Sequence, residues 1–391
     1  MSRWKSNVSY SHLGLWIIGG LGIILRLELA LISLGSSDIF IWRYIAETID
    51  QFGLAYMYDN VRLFNHPPLM GYFAQGALHI AQATGFSFAF IFKLNGMVAD
   101  LLTMWILWRI WRTYGQRQAA IAIAAFSVSV LAILISAYHG NTDSLCVSLT
   151  LLAAYFYEQK RPAASGVALA AAINVKVVPI LVIPIFVMSH HSRRDLVKFS
   201  MGLLAGLLPM IVLFIGHKEG VILNILNYNS IQDRWGIMSF VLEGTQNPAL
   251  KEVVTAIGDF YIVKGRYIIV GLVSLTSIWQ YFTPKRTLYE AVALCFAIFL
   301  IFTPGFGIQY LIYICPFMFA INLQWAVVYS CLAGIFAGVV YYSFWSGTFP
   351  WYSLSTALFP PPASLIGVLT WGLLIQFAFW SIARFRHRIS P

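Results

Sequence analysis

The chain has 391 residues, of which 59% are hydrophobic and 10% are charged, and its mean hydropathy is +0.75. Soluble domains carry about 25% charged residues, so this composition excludes a soluble globular protein and predicts an all-α polytopic membrane protein. Lys and Arg outnumber Asp and Glu by 25 to 15, giving a net charge of +10. These basic residues stand in short connections between apolar segments, so they indicate membrane orientation and do not require nucleic acid as a partner.

Apolar segments long enough to cross the hydrocarbon core as helices recur along the chain. Six connections with clustered Lys and Arg all fall in the cytoplasm if the chain crosses about twelve times with both termini inside. The predicted spans are 14–34, 86–108, 118–138, 143–157, 163–174, 177–190, 197–216, 267–283, 288–303, 309–321, 323–344 and 363–383. The fifth and sixth are too short to cross alone, so we expect two half-spans with a break before Pro179.

The first long connection, residues 35–85, is predicted to form a folded cap on the outer face. Ser37 is a good N-cap, Asp38 favours the first turn of the helix that follows, and Gly53 suits its end. This helix is predicted to lie on the membrane surface or pack on the spans, with Trp42 and Tyr44 at headgroup level.

A second cap helix is predicted from Pro67–Pro68 to Ala83, because proline suits a first helical turn. The same threading places two further connections outside, residues 217–266 and 345–362. Ionisable groups near the bilayer are costly to keep, so a polar cap at the root of the first span suggests a functional site.

Several segments carry a family resemblance. "GSSD" follows span one and precedes "YIAETIDQFGLAYMYD" and "NHPPLMGYF"; further along stand "YHGNTDSLCV", "GVALAAAINVKVVPILVIPIFV" and "FTPGFGIQYLIYICPF". In this order and spacing they resemble the GT-C superfamily, integral membrane glycosyltransferases that use polyprenyl-phosphate sugars. The last segment is similar to a signature of the polyprenol-phosphate-mannose-dependent branch.

The resemblance implies a GT-C-like bundle of about 12 transmembrane helices with amphipathic helices in the first outer loop. It implies a conserved module over 1–190 and a variable module over 191–391 within one membrane domain. The implied activity is inverting transfer of a hexose, mannose favoured, from a polyprenyl-phosphate carrier to a glycan or lipid-linked acceptor. The acceptor would lie on the outer or luminal face, and a prokaryotic inner membrane is favoured.

Such a transfer needs one general base for the acceptor hydroxyl and polar or cationic groups for the departing phosphate. A second catalytic acid is unnecessary, because a phosphate leaves without protonation. Asp38 stands where the superfamily places its base, so the resemblance implies that role; the alternative is that Asp38 is only a helix N-terminal acid.

Other polar residues are candidates for substrate binding. An unpaired Lys176 between half-spans would cost about 2.5–3.5 kcal/mol. We therefore expect its ammonium group to contact a lipid phosphate or a carboxylate, or to extend to the outer surface. Arg234 and Trp235 suit a phosphate clamp and a sugar-stacking surface. The full set is His66, His139, Asn141, Asp143, Lys176, Arg234, Trp235, Gln309 and Tyr310. The "GNTDS" segment also suits a plain helix cap, and Gln309 and Tyr310 suit a membrane interface.

The sequence says less about a metal ion and about the acceptor than about the donor. "SSDIF" lacks a second acid, so an ExD-type metal site is not supported, although a divalent cation is left open. The chain shows no large C-terminal soluble domain, which favours a small or lipid-linked glycan acceptor bound by the outer loops. The charges Arg26, Glu28 and Asp100 lie within spans and are predicted to pair between neighbouring helices.

Two other classes share parts of this pattern. A transporter or flippase of lipid-linked sugars would use many crossings, a broken helix and intramembrane charges, but the chain shows no similarity between its halves. A glycan polymerase or ligase would need an arginine-rich outer loop, and loop 217–266 holds only Arg234 and Arg266. The glycosyltransferase interpretation is therefore preferred.

Overall fold

The computed structural model describes residues 7–226, 235–283, 286–343 and 361–389, and within those ranges the chain is helical with no strand. The helices are α1 (Asn7–Ile32), α2 (Asp38–Asn60), α3 (Pro68–Thr84), α4 (Phe88–Trp111), α5 (Gln116–Ser127), α6 (Val130–Ile133), α7 (Asp143–Glu158), α8 (Pro162–Val175), α9 (Ile183–Ser189), α10 (Arg193–Gly216), α11 (Lys218–Val221), α12 (Ile237–Gly244), α13 (Lys251–Phe282), α14 (Leu288–Phe302), α15 (Cys315–Ile321), α16 (Leu323–Ser343) and α17 (Pro361–Ile389). The segments Val178–Val182 and Ile308–Ile312 are short 3₁₀ helices, and Leu134–His139 and Ile222–Leu226 are short π-helices.

Six of these helices are long and apolar enough to cross a membrane: α1, α4, α10, α13, α16 and α17. A seventh crossing results if α5 and the segment Val130–His139, bent by 51° relative to it, form one span. The remaining predicted segments coincide with α7 and with shorter apolar helices. The chain is thus an all-helical polytopic membrane protein, and the count of twelve crossings stays a prediction.

The start of one helix differs from the sequence prediction. Helix α13 begins at Lys251, well before the predicted span 267–283, because the polar residues of its first half do not interrupt helical propensity. The predicted outer loop 217–266 is therefore largely helical where it is described. Most of the third outer loop, 345–362, lies outside the described residues.

The cap consists of α2 and α3 packed on each other. Gly53, predicted to end the first helix, instead marks a kink (φ 82°, ψ 163°) after which α2 continues to Asn60. The second helix begins within one residue of its predicted start, with Pro68 in its first turn. The cap is therefore a folded helical pair, as the sequence predicts.

The two ends of the bundle differ in chemistry. Helices α7 and α8 pack together and are joined by a short turn, so they run antiparallel and the start of α7 lies near the end of α8. The cap lies at this end, hereafter the cap end. The opposite end holds the basic turn Lys160–Arg161, where Glu158 accepts a 2.6 Å hydrogen bond from the Leu288 amide.

The predicted pairing of intramembrane charges is confirmed for Arg26 and Asp100. Arg26 Nε lies 2.7 Å from Asp100 Oδ2, and both side chains are buried. The other guanidinium nitrogens donate to the backbone carbonyls of Gly22, Phe126 and Ser127. Glu28 does not join this pair, because it lies on the exposed face of α1.

Candidate active site

Two glycine turns bring Asp38 beside His139. Gly35, between α1 and α2, has φ +92°, and a Cβ there would lie 2.8 Å from the Tyr138 carbonyl oxygen. Gly140, before α7, has φ +75°, and a Cβ there would collide with the Ile39 side chain. Only glycine adopts these angles without strain and leaves room for the close approach. The two segments therefore meet with their polar residues adjacent.

The Asp38 carboxylate is held by polar groups from the α7 entrance. Its Oδ2 lies 3.1 Å from His139 Nε2 and accepts a hydrogen bond from Asn141 Nδ2. Burial raises the pKa of Asp38, but contacts with His139, the charge of Lys176 and the Asn141 hydrogen bond together bring it below the ordinary value of 3.8. With 27% of its side chain exposed, Asp38 is an accessible, ionised carboxylate at neutral pH.

Asn141 is fixed in one orientation by its neighbours. Its Oδ1 accepts from Trp42 Nε1 at 3.3 Å and from the Thr142 amide at 2.7 Å. Both partners can only donate, so the Asn141 NH2 group must face Asp38. Trp42 is buried, because α2 turns that face toward the bundle to reach Asn141, so α2 packs on the spans; the headgroup level of Trp42 stays a prediction.

A second ion pair lies at the same end of the bundle. Helix α8 ends at Val175, and Lys176 is extended (φ −156°, ψ 143°), so the predicted break between half-spans is present. Lys176 Nζ lies 2.7 Å from Asp143 Oδ1 and 5.0 Å from the centroid of the Tyr310 ring. Asp143 is fully buried, and no described residue forms a hydrogen bond to its Oδ2.

His66 lies beside this pair, in the loop before α3. Its Nδ1 is 3.2 Å from the Val175 carbonyl oxygen, and its own carbonyl accepts a 2.7 Å hydrogen bond from the Tyr58 hydroxyl. The Trp42 ring packs against the imidazole with centroids 4.7 Å apart. Burial, followed by the charge of Lys176, lowers the pKa of His66 to about 4, so this imidazole is neutral at pH 7.

The structure brings Asp38, His66, His139, Asn141, Asp143, Lys176 and Tyr310 together, and we call this set the cap-end cluster. Gln309 is half-buried beside Tyr310. Trp235 instead lies in the core, where its indole donates to the Leu300 carbonyl at 2.7 Å and stacks on Phe306. Arg234 lies outside the described residues.

Several supporting residues were not predicted. Lys93 is buried and donates to the Ser33 carbonyl at 2.6 Å, which anchors the end of α1 just before the Gly35 turn. Tyr341 packs on His139 with ring centroids 5.6 Å apart. The glycine pair could have been recognised from "LGSSD" and "HGNTD", in which Gly precedes an acid by three residues. Nothing local to the sequence indicates the contact with Tyr341, which comes from α16.

This arrangement can perform two chemical tasks. An ionised, partly exposed carboxylate can accept a proton, and Lys176 can bind an anion, because only one of its three N–H groups has a hydrogen-bond partner among the described residues. In the described ranges, no group of three or more His, Cys, Asp or Glu residues is arranged to hold a metal ion.

Residues 65–217 match the model of a protein family described as dolichyl-phosphate-mannose-protein mannosyltransferase. This family is part of the GT-C superfamily, so the resemblance seen in the sequence is confirmed. The match includes every residue of the cap-end cluster except Asp38 and Tyr310. A comparison with curated proteins gave no match. The family match indicates a membrane glycosyltransferase that uses a polyprenyl-phosphate sugar.

Proposed function

We propose that this chain is an inverting glycosyltransferase that moves a hexose, mannose favoured, from a polyprenyl-phosphate carrier to a glycan or lipid-linked acceptor, with Asp38 as general base. The observation that carries the proposal is one cluster that combines an accessible ionised carboxylate with an ammonium that has unused N–H groups. The match over residues 65–217 supports the donor class.

In the proposed reaction the acceptor hydroxyl oxygen forms a bond to the anomeric carbon of the donor sugar. The bond from that carbon to the phosphate oxygen breaks, and the phosphate leaves with the electron pair. The hydroxyl proton passes to the Asp38 carboxylate, from which solvent later removes it. Asn141 and His139 hold the carboxylate in place, so the base is oriented before the substrate arrives.

Lys176 is proposed to bind the donor phosphate. One of its N–H groups donates to Asp143, which fixes the side chain, and the others have no hydrogen-bond partner among the described residues. A phosphate bound there would form charge-assisted hydrogen bonds that strengthen as negative charge develops on the leaving oxygen. Asp143 therefore acts through Lys176 and is a positioning residue.

The cap end is proposed to face outward, with both termini in the cytoplasm and the protein in the prokaryotic inner membrane. The basic turn Lys160–Arg161 lies at the other end of the bundle, which supports this orientation through the positive-inside rule. On the outer face a lipid carrier supplies the sugar, because nucleotide sugars are cytoplasmic. A small or lipid-linked glycan is proposed as the acceptor.

The test uses purified protein in nanodiscs with a panel of radiolabelled polyprenyl-phosphate sugars. We expect one donor, with mannose first, to release its sugar in the presence of acceptor glycolipids, and Asp38→Ala to abolish this turnover. Turnover of no donor would contradict the proposal, and saturable transport of a lipid-linked sugar in vesicles would favour a carrier instead.

A further inference from the structure

The hydrogen bond of His66 fixes which ring nitrogen carries its proton. Nδ1 lies 3.2 Å from the Val175 carbonyl oxygen, and a carbonyl oxygen can only accept a hydrogen bond. Nδ1 must therefore be the protonated nitrogen. Because burial and the charge of Lys176 keep the ring neutral, Nε2 carries a lone pair and no proton. His66 presents a hydrogen-bond acceptor to its surroundings.

The acceptor at Nε2 has no donor among the described residues. The imidazole ring is only 7% exposed, and its Nε2 is not fully enclosed by the protein. Nε2 is therefore an acceptor that a ligand can reach. A ligand hydroxyl can donate a hydrogen bond to Nε2. A phosphate oxygen cannot, because an ionised phosphate also only accepts.

His66 is fixed at a position between the two working groups of the cluster. Its Nδ1 donates to the carbonyl oxygen of Val175, the residue before Lys176. Its ring packs on Trp42, whose indole donates to Asn141, the residue that holds Asp38. In an inverting transfer the phosphate and the attacking hydroxyl lie on opposite sides of the anomeric carbon. The proposed function therefore places the donor sugar between Lys176 and Asp38, alongside His66.

We propose that His66 Nε2 accepts a hydrogen bond from one ring hydroxyl of the donor sugar and so determines which sugar the enzyme accepts. This inference rests on the proposed function, because it takes the donor to be a polyprenyl-phosphate sugar held by Lys176. It adds a specificity-determining residue for the sugar ring, distinct from the phosphate and the acceptor. Nε2 requires a hydroxyl that donates a hydrogen bond. A deoxy sugar and a deoxyfluoro sugar both lack that hydroxyl, so both should lose the hydrogen bond equally.

The experiment compares wild type with two matched variants. Asparagine places an amide N–H near the Nδ1 position and can keep the hydrogen bond to Val175, but has no atom at Nε2. Glutamine reaches the Nε2 position with an acceptor oxygen but loses the bond to Val175. Competition binding in nanodiscs is measured for the parent donor and for donors lacking one hydroxyl at a time.

Wild type should bind one of the deoxy donors about 10- to 100-fold more weakly than the parent. His66→Asn should bind that deoxy donor and the parent equally, whereas His66→Gln should retain most of the discrimination. The inference is overturned if His66→Asn discriminates as wild type does, or if wild type binds all deoxy donors equally. In both of those cases transfer of the parent donor by wild type would leave the proposed function standing.

A second measurement does not depend on the variants folding. Nitrogen NMR of wild type labelled at histidine, with His66→Asn to assign the signal, reports the protonation of each ring nitrogen. At neutral pH we expect a protonated Nδ1 and an unprotonated Nε2 for His66. A protonated Nε2 would overturn the inference whatever the turnover assay shows. If wild type transfers no sugar from any donor, the proposed function fails and this inference fails with it.

Discussion

Two buried ion pairs in this protein have the same length but differ in how completely they are hydrogen-bonded. Arg26–Asp100 and Lys176–Asp143 each have a 2.7 Å contact between nitrogen and oxygen. The guanidinium of Arg26 also donates to three backbone carbonyls. Lys176 has one hydrogen-bond partner among the described residues, and the second oxygen of Asp143 has none.

We propose that this difference separates a structural pair from a functional one. A buried charge is costly unless its hydrogen bonds are made, and the surroundings of Arg26 meet that need. At the cap end only some of these hydrogen bonds are made, and the groups that make them also surround Asp38 and His66. Unused hydrogen-bonding capacity, more than burial or charge, thus marks where a ligand is expected.

The largest effect is expected at Asp38. Asparagine retains the shape of the side chain but cannot take a proton, so Asp38→Asn should lower the transfer rate about 10²- to 10⁴-fold. Donor binding should change little, because the proposed function assigns the phosphate to Lys176. Single-turnover kinetics, together with a separate measurement of donor affinity, will distinguish the transfer rate from donor binding. A variant that loses binding but transfers at the normal rate when saturated would argue against the base role.

At the structural pair, Arg26→Met should reduce the free energy of unfolding by about 3–5 kcal/mol, because Asp100 is left buried without its partner. Transfer per folded molecule should stay at the wild-type level. Arg26→Met/Asp100→Leu removes both charges and should recover most of the stability. Unfolding in detergent micelles, followed by activity of the folded fraction, measures both. Lost activity in a stable double variant would place this pair in the site.

Lys176→Met should weaken donor binding roughly 10- to 150-fold, the equivalent of one or two lost hydrogen bonds to a charged group. The single variant also leaves Asp143 unpaired, so Lys176→Met/Asp143→Asn serves as the control in which no buried charge remains. That control should fold like wild type and show the same weakened binding of polyprenyl phosphate. Normal affinity in the double variant would mean that another group binds the phosphate.

The smallest effect concerns pH. Asn141 donates to the Asp38 carboxylate and thereby helps to hold its pKa below 3.8. The base must be ionised, so activity is present above the Asp38 pKa and is lost as pH falls through it. Asn141→Ala should raise this pKa, so the variant should lose activity at a higher pH than wild type. An unchanged acid limb in the pH–rate profile would show that Asp38 is not the group that limits it.

Much of the fold was predictable from the sequence. Hydropathy placed helices at all the predicted spans, and Pro179 marked the break at which Lys176 lies. The cap helices followed from Asp38 and Pro68, whose local preferences agree with the final structure. The family resemblance also followed from segments that remain recognisable in order. These features depend on local sequence, which explains the success.

The geometry of the site was less predictable. The positions of Asp38, Asn141 and Lys176 in the sequence suggest polar helix ends but not their partners, because the pairs join residues more than thirty positions apart. The burial of Trp42 was not apparent from the sequence, since its indole donates to Asn141, which lies 99 positions away, just before α7. Trp235 is of a residue type that stacks on sugars, but its side chain lies in the core. Long-range packing decides these cases.

The most direct test of the central claim measures sugar transfer per folded molecule for two variants side by side, Asp38→Asn and Arg26→Met/Asp100→Leu, with the same polyprenyl-phosphate donor. If the incompletely hydrogen-bonded cluster carries the chemistry, the first variant loses transfer and the second retains it. Equal activity in the two variants, or loss only in the second, would contradict the account.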